Sequence, residues 1–380
     1  MDFEYSEEQN MLRDTLAGYL ARHYDFEARC AAVRSASGWR PEVWRALAQE
    51  LSIFGAAFPE SLGGLGGGAI EHAIVMEELG KVLALEPYLG TLVIGGGLLK
   101  QAGGALAQEF VPRIMAGEAV LAFAQAEPGV RYALTEVATT AKRQADGYVL
   151  NGRKSVVIGA PWATQLVVVA RSGGAPRDAE GITLLLVDKD SNGIRTQDYP
   201  TIDGGRAAEV FFDEVRVPAG RVIGTEGAAL PLLERVADEA VCALCAEAVG
   251  CMRRLLADTV AYACQRKQFG VPIASFQVLQ HRMADMFVAL EQSIALTLVA
   301  TLKLDSPPAE RALAASAAKV QIGSAGRFIG QAAIQIHGGM GITEELALGH
   351  YFKRLTAIGS QFGTAEHHLR RYADLSLAAA

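Results

Sequence analysis

The hydrophobic spacing of this chain changes twice along its length, and that double change limits its architecture more than any other feature. Up to about residue 117 the spacing is helical: Phe3, Met11, Leu12, Leu16, Tyr19 and Leu20 recur near the helical period. Ser6 ahead of Glu7 and Glu8 is a helix start, and Pro41 at the head of PEVWRALAQEL suits a first helical turn. GAIEHAIVMEELGKVLA predicts a third helix, ended by Pro87. From about 118 to 225 short β-rich runs take over: VLAFAQ, TEVATTAKR, YVLNG, SVVIGA, LVVVAR, GITLLLVD and AEVFFDEVRVP. Asp146-Gly147, Asn151-Gly152, Asn192-Gly193 and Pro218-Ala219-Gly220 read as the turns between them. Strands without intervening helices point to an antiparallel barrel or sandwich, not a βαβ sheet. Beyond 226 helix returns. Leu230 to Gln268 is broken only by Pro231 and Gly250, Phe276, Leu279, Met283, Met286 and Leu290 form a narrow apolar seam, and Ala309 to Ile336 is another long helix.

Composition narrows the function. A length of 380 residues suits two or three domains. A net charge of −7, with no basic run, argues against nucleic acid or an anionic membrane as partner. The acidic start Met1-Asp2-Phe3-Glu4 is unlike a targeting signal, and the longest uncharged stretches fall short of the roughly 20 residues of a membrane span, so a cytoplasmic protein is expected. Cys30, Cys242, Cys245, Cys251 and Cys264 make no disulfide framework, and the Cys242–Cys245 pair reads as small helix residues. No two histidines stand at HExxH spacing, so no metal site is expected.

Three segments invite a ligand. Gly63-Gly64-Leu65-Gly66-Gly67-Gly68 lacks the βαβ context of a dinucleotide fingerprint and reads as a permissive loop between helices. Gln335-Ile336-His337-Gly338-Gly339-Met340-Gly341 ends a long helix in glycines; either a ligand approaches the backbone there or the glycines cap the helix. Arg266 and Lys267 ahead of a turn can clamp a pyrophosphate, although cations also favour a solvated helix end.

Taken in order, these segments resemble the acyl-CoA dehydrogenase family across essentially the whole chain. Phe58-Pro59-Glu60-Ser61-Leu62-Gly63-Gly64-Leu65-Gly66 resembles a loop of its helical domain. Gln125-Ala126-Glu127-Pro128-Gly129 and Gly152-Arg153-Lys154 with Val156-Val157-Ile158 resemble its two flavin-facing segments. Arg266-x-x-Phe269-Gly270-x-x-Ile273-x-x-Phe276-Gln277 and Gln335-x-x-Gly338-Gly339-x-Gly341 resemble its RxxFGxxIxxFQ and QxxGGxG signatures. The resemblance implies a mostly helical α+β fold: an N-terminal helical domain (1–117), a middle antiparallel β-barrel (118–225) and a C-terminal four-helix bundle (226–380). It also implies FAD, an acyl-CoA substrate desaturated between its α and β carbons, electron-transferring flavoprotein as acceptor, and a homo- or heterotetramer. Gln125, Glu127, Val157, Ile158, Arg266, Phe269, Phe276, Gln277, Gln335, Gly338 and Gly339 would contact the cofactor, the later ones from a neighbouring subunit.

Two departures matter. Val156 and Ile158 stand where the family has an aromatic residue and a Thr or Ser, so flavin contacts there would use backbone groups. The C-terminal segment Gln361-Phe362-Gly363-Thr364-Ala365-Glu366 has no carboxylate at the family's base position. Glu366 and Glu239 are the candidates, the latter one helix residue, or about 100°, from the position the alignment indicates. The pattern is most similar to small subunits of two-component enzymes acting on pimeloyl-CoA or steroid side-chain CoA esters. A non-catalytic chain that completes a partner's FAD site is therefore an alternative, and an oxygen-using flavin enzyme of the same fold ranks last.

Overall fold

The computed structural model describes residues 4–378, so Phe3 of the expected first seam lies outside the described residues. Helix α1 (Glu7–His23) starts where expected: Ser6 Oγ accepts from the Gln9 amide at 3.2 Å and Gln9 Oε1 accepts from the Ser6 amide at 3.0 Å. Leu16 and Leu20 are buried on it, whereas Met11 is exposed. Next come α2 (Phe26–Arg34) and α3 (Pro41–Arg45), the latter running into a π-helical turn. Helix α4 (Ala69–Val82) stops ahead of Pro87, at Leu83, whose φ of 55° is left-handed. Helices α5 (Gly97–Ala102) and α6 (Gly104–Met115) lead into the strands.

Those strands are β1 (Leu121–Ala124), β2 (Thr140–Gln144), β3 (Gly147–Ile158), β4 (Gln165–Arg171), β5 (Ile182–Asp188), β6 (Ile194–Pro200), β7 (Arg206–Pro218) and β8 (Val222–Ile223). They form one sheet in the order β6-β7-β3-β2-β4-β5-β8, with β1 beside β4. This corrects two expectations. The sheet is not a closed barrel, because β6 pairs only with β7 and β8 only with β5. Two-residue β8 is too short to carry the ladder further, and β6 is mostly exposed. Nor is the sheet purely antiparallel, since β1 and the end of β2 run parallel to β4. The expected turn at Asn151-Gly152 is instead a bulge inside the 12-residue β3. The Asn151 amide spans it, donating to Glu214 Oε1 at 2.7 Å and accepting the Glu214 amide at 2.9 Å.

The chain forms two compact units. One comprises Ala31–Gly68 and Leu85–Ala240 and holds the sheet, whose core includes Leu150, Val157, Leu166, Val168, Leu185, Val210 and Phe212. The other comprises Met1–Cys30, Ala69–Ala84 and Val241–Ala380. It holds α1, α4, most of α7 (Leu230–Gln265), a hairpin of β9 (Lys267–Gln268) and β10 (Val271–Pro272), α8 (Gln277–Leu302), α9 (Pro308–His337), α10 (Ala347–Ser360) and α11 (Ala365–Ala378). Helix α9 packs against α8, α10 and α11, while α4 lies close against α7. A Cβ on Gly80 would sit 2.2 Å from the Glu247 carbonyl oxygen, and one on Gly250 2.0 Å from that of Glu77. Only glycines permit this approach. Cys242, Cys245 and Cys251 are buried in α7 and not in disulfides, consistent with packing residues. Among the described residues one helix, α8, is long and apolar enough to cross a membrane, and 28% of its most apolar window is buried.

Candidate functional site

In the sheet unit the two segments expected to face flavin lie side by side. Strand β1 ends in Gln125-Ala126-Glu127, and the Ala126 carbonyl accepts from the Ser155 amide of β3 at 2.8 Å. The junction is locked from inside by a fully buried Lys154, whose ammonium donates to Glu127 Oε1 at 2.6 Å and to the Gln125 carbonyl at 3.1 Å. The Glu127 carboxylate also accepts the amides of Ala138 at 2.7 Å and Thr139 at 3.0 Å. Burial pushes Lys154 down, partly offset by Glu127. Burial alone would raise Glu127, but the ammonium and the Thr139 amide hold it below the usual carboxylate range. Glu127 thus acts inward and positions the loop. Gln125 carries a buried Nε2 with no hydrogen-bond partner among the described residues.

Past Lys154 the ladder slips, and Val156 takes φ 52°, a left-handed conformation costing a β-branched residue about 1–3 kcal/mol. Val156 is 53% and Ile158 44% exposed, while Val157 between them is buried in the sheet core. Of the expected contacts in this strand, Ile158 faces outward and Val157 offers only its backbone.

The residues expected from a neighbouring subunit lie in the helical unit. Arg266 follows α7, its amide bonded to the Tyr262 carbonyl at 2.8 Å. The Tyr262 ring stacks on His337 at the end of α9, with ring centroids 4.1 Å apart, bringing the two signature segments together. Burial lowers the His337 pKa, which keeps the ring neutral. The β9–β10 turn places Phe269 at φ 55° and 91% exposed, its ring edge-on to that of Phe276 with centroids 6.2 Å apart. Arg266, Gln277, Gln335, Gly338 and Gly339 are exposed as well. Gly338 does cap α9, its amide bonding to the carbonyls of Ile334 and Gln335. A Cβ on Gly338 or Gly339 would nevertheless meet nothing within 4 Å, so the backbone there stays approachable.

Glu239 Oε1 accepts from Arg235 Nε at 3.0 Å and Gln101 Nε2 at 3.4 Å. Glu366 is exposed in the first turn of α11, where its own backbone amide and the Thr364 hydroxyl lower its pKa. Thr364 is the cap of that helix, its Oγ1 accepting the His367 amide at 3.3 Å. The Gly63–Gly68 loop is closed on itself: the amides of Gly64, Leu65, Gly66 and Gly67 bond to the carbonyls of Pro59, Gly55, Phe58 and Ala56. No cluster suited to a metal ion occurs among the described residues. What sequence reasoning missed is Glu209 on β7. Its carboxylate gathers Arg153, Ser155, the Val156 amide and Tyr199, and no local pattern announces it.

Family models match almost the whole chain: acyl-CoA dehydrogenase N-terminal domain at residues 6–118, middle domain at 122–215 and C-terminal domain at 233–376. Acyl-CoA dehydrogenase IpdE2 of Mycolicibacterium smegmatis is 31% identical, covering 96% of this chain and 98% of that protein. The crystal structure of the ChsE4-ChsE5 complex from Mycobacterium tuberculosis superposes with a TM-score of 0.89 at 26% identity, covering 100% of both chains. PigA with FAD and proline gives a TM-score of 0.90 at 25% identity, again covering 100% of both.

Proposed function

The chain belongs to the acyl-CoA dehydrogenase family, and we propose that it acts as one subunit of an assembly that dehydrogenates an acyl-CoA thioester between its α and β carbons. Its cofactor is FAD. The residues present fit that group: Gln125 offers an unpartnered amide, Val156 and Ile158 an aliphatic wall, and Gly338 and Gly339 an open backbone. In this reading Gln125, Ile158 and the backbone of Val157 line the flavin wall of one chain, while buried Glu127 holds that wall from behind rather than touching the cofactor. Arg266, Phe269, Phe276, Gln277, Gln335, Gly338 and Gly339 reach in from a neighbour. Bound FAD supplies the two-electron acceptor. Arg266, a planar guanidinium with donors in a fixed fork, suits the pyrophosphate, and the aliphatic pair keeps water from the ring. A fatty acyl or steroid side-chain CoA ester is the proposed substrate, electron-transferring flavoprotein the proposed acceptor and the cytoplasm the proposed compartment. Division at about residues 117 and 225 is the proposed domain organisation.

The observation that carries this reading is the outward-turned half site, with Phe269 91% exposed and the signature glycines Gly338 and Gly339 open. Exposed Val278, Phe287 and Val288 on α8 add an apolar face that association would cover. Purified protein should be yellow, larger than one chain, and should bleach anaerobically with its acyl-CoA. A colourless single-chain particle, even beside its companion, would overturn it.

A second reading rests on Glu239 and Glu366: this chain supplies cofactor scaffold, and a companion chain supplies the base. Turnover by this chain alone, lost in Glu239→Gln or Glu366→Gln, would exclude it.

A further inference from the structure

We propose that Glu209 is the positioning residue that fixes the outward-facing Val156–Ile158 segment in the shape the flavin meets. The inference rests on that segment being the flavin wall.

Five donors converge on this one carboxylate. Oε2 accepts from Arg153 Nε at 3.1 Å, Arg153 Nη2 at 2.9 Å and Ser155 Oγ at 2.8 Å. Oε1 accepts from the Val156 amide at 3.3 Å and the Tyr199 hydroxyl at 3.2 Å. Three polar groups of the β3 bulge, from residues 153, 155 and 156, are thereby turned toward β7. On the inward side Lys154 is pinned to Glu127 and the Gln125 carbonyl, so the bulge is gripped from both faces.

The grip determines what the segment presents. Ser155 is the one hydroxyl of the bulge, and Glu209 takes it. The Val156 amide is also taken. What remains outward is two aliphatic side chains, Val156 and Ile158, with the backbone between them. A valine at φ 52° is a conformation the chain would relax if nothing held it, and a glycine would adopt it freely. Strain kept at an exposed wall and stabilised by a carboxylate from another strand is the arrangement of a preorganised binding surface.

The test uses the full chain, with its companion chain where it needs one, and FAD as the probe. In Glu209→Gln the charge-assisted acceptors weaken. FAD affinity should fall about tenfold, and the resolved fine structure of the visible flavin band and the flavin reduction potential should change. Glu209→Asp, which keeps the charge, should recover part of each readout. Val156→Gly relieves the strain, so it should hold or raise the melting temperature while still weakening FAD binding. Wild-type protein that binds no FAD overturns the cofactor reading and this one together. Wild type that binds while Glu209→Gln keeps its affinity, spectrum and potential overturns only this one. A lowered melting temperature with flavin properties unchanged in the folded protein also overturns it, since that is what a purely structural carboxylate would give.

Discussion

At the β1–β3 junction a fully buried Lys154 is paired with Glu127 and five donors meet on Glu209, whereas at the β9–β10 tip Phe269 is 91% exposed and the Arg266 side chain has no partner among the described residues. Both regions carry signature residues of the same proposed cofactor site. One is built by its own chain, with Lys154, Glu127 and Glu209 bonded internally and the Gln125 Nε2 left without a partner among the described residues. The other has its backbone shaped, by the Gly338 cap and the left-handed Phe269, but leaves its side chains without an intrachain destination. If the proposed division holds, cofactor binding is coupled to association: the prebuilt wall would set geometry, and the open edge would call for a second chain.

The strongest way to break this comparison is Lys154→Met. It leaves Glu127 buried without its counter-charge and should cost about 3–5 kcal/mol, read by urea unfolding. Adding Glu127→Met should recover much of the loss; no recovery would mean the junction is not held by that pair. Gly250→Ala comes next. Its methyl would stand 2.0 Å from the Glu77 carbonyl oxygen, and the shift of α4 from α7 should cost about 1–3 kcal/mol. Gly18→Ala, with open space around it on α1, is the control and should be neutral or stabilising.

A pH series sharpens the contrast within the helical unit. Burial lowers His368 from its ordinary 6.5 to about 3. Its ring lies between the Ser316 hydroxyl and the Phe362 carbonyl, which anchors the turn ahead of α11. Below pH 6.5 the unfolded chain takes up the proton and the folded chain does not. Stability should therefore fall as pH drops from 6.5 toward 3, by at most about 1.4 kcal/mol per pH unit from this group. His368→Gln should flatten the slope between pH 6.5 and 5, before the carboxylates titrate; an unchanged slope would reject the assignment. Phe269→Ser carries the smallest intrachain effect, below about 0.5 kcal/mol, but should loosen the assembly seen by sedimentation. A loss of stability comparable to Lys154→Met would end the distinction between prebuilt wall and open edge.

Much of the local structure was legible. Ser6 caps α1, Pro41 opens α3, and the long helices between 230 and 337 lie where periodicity put them. The misreadings have specific causes. Asn151-Gly152 carries turn chemistry, yet the structure uses it as a bulge, because Asn151 bonds across to Glu214 and lets β3 continue. The barrel failed to close because β8 is two residues long, a length that alternating hydrophobicity does not reveal. The surroundings of Glu239, bonded to Arg235 and to Gln101 of another helix, were likewise beyond the reach of spacing.

Helix and strand placement, the order of the glycine and arginine segments, and membership of the family followed from residues within a few positions of one another, since helical and pleated periods are local properties of the backbone. The Lys154–Glu127 pair, the Glu209–Ser155 bond and the bond from the Cys251 thiol of α7 to the Gly80 carbonyl of α4 depended on partners 27, 54 and 171 residues apart. Such meetings are set by strand register and helix packing. Only the folded chain decides which distant carboxylate an ammonium or a strained amide will find.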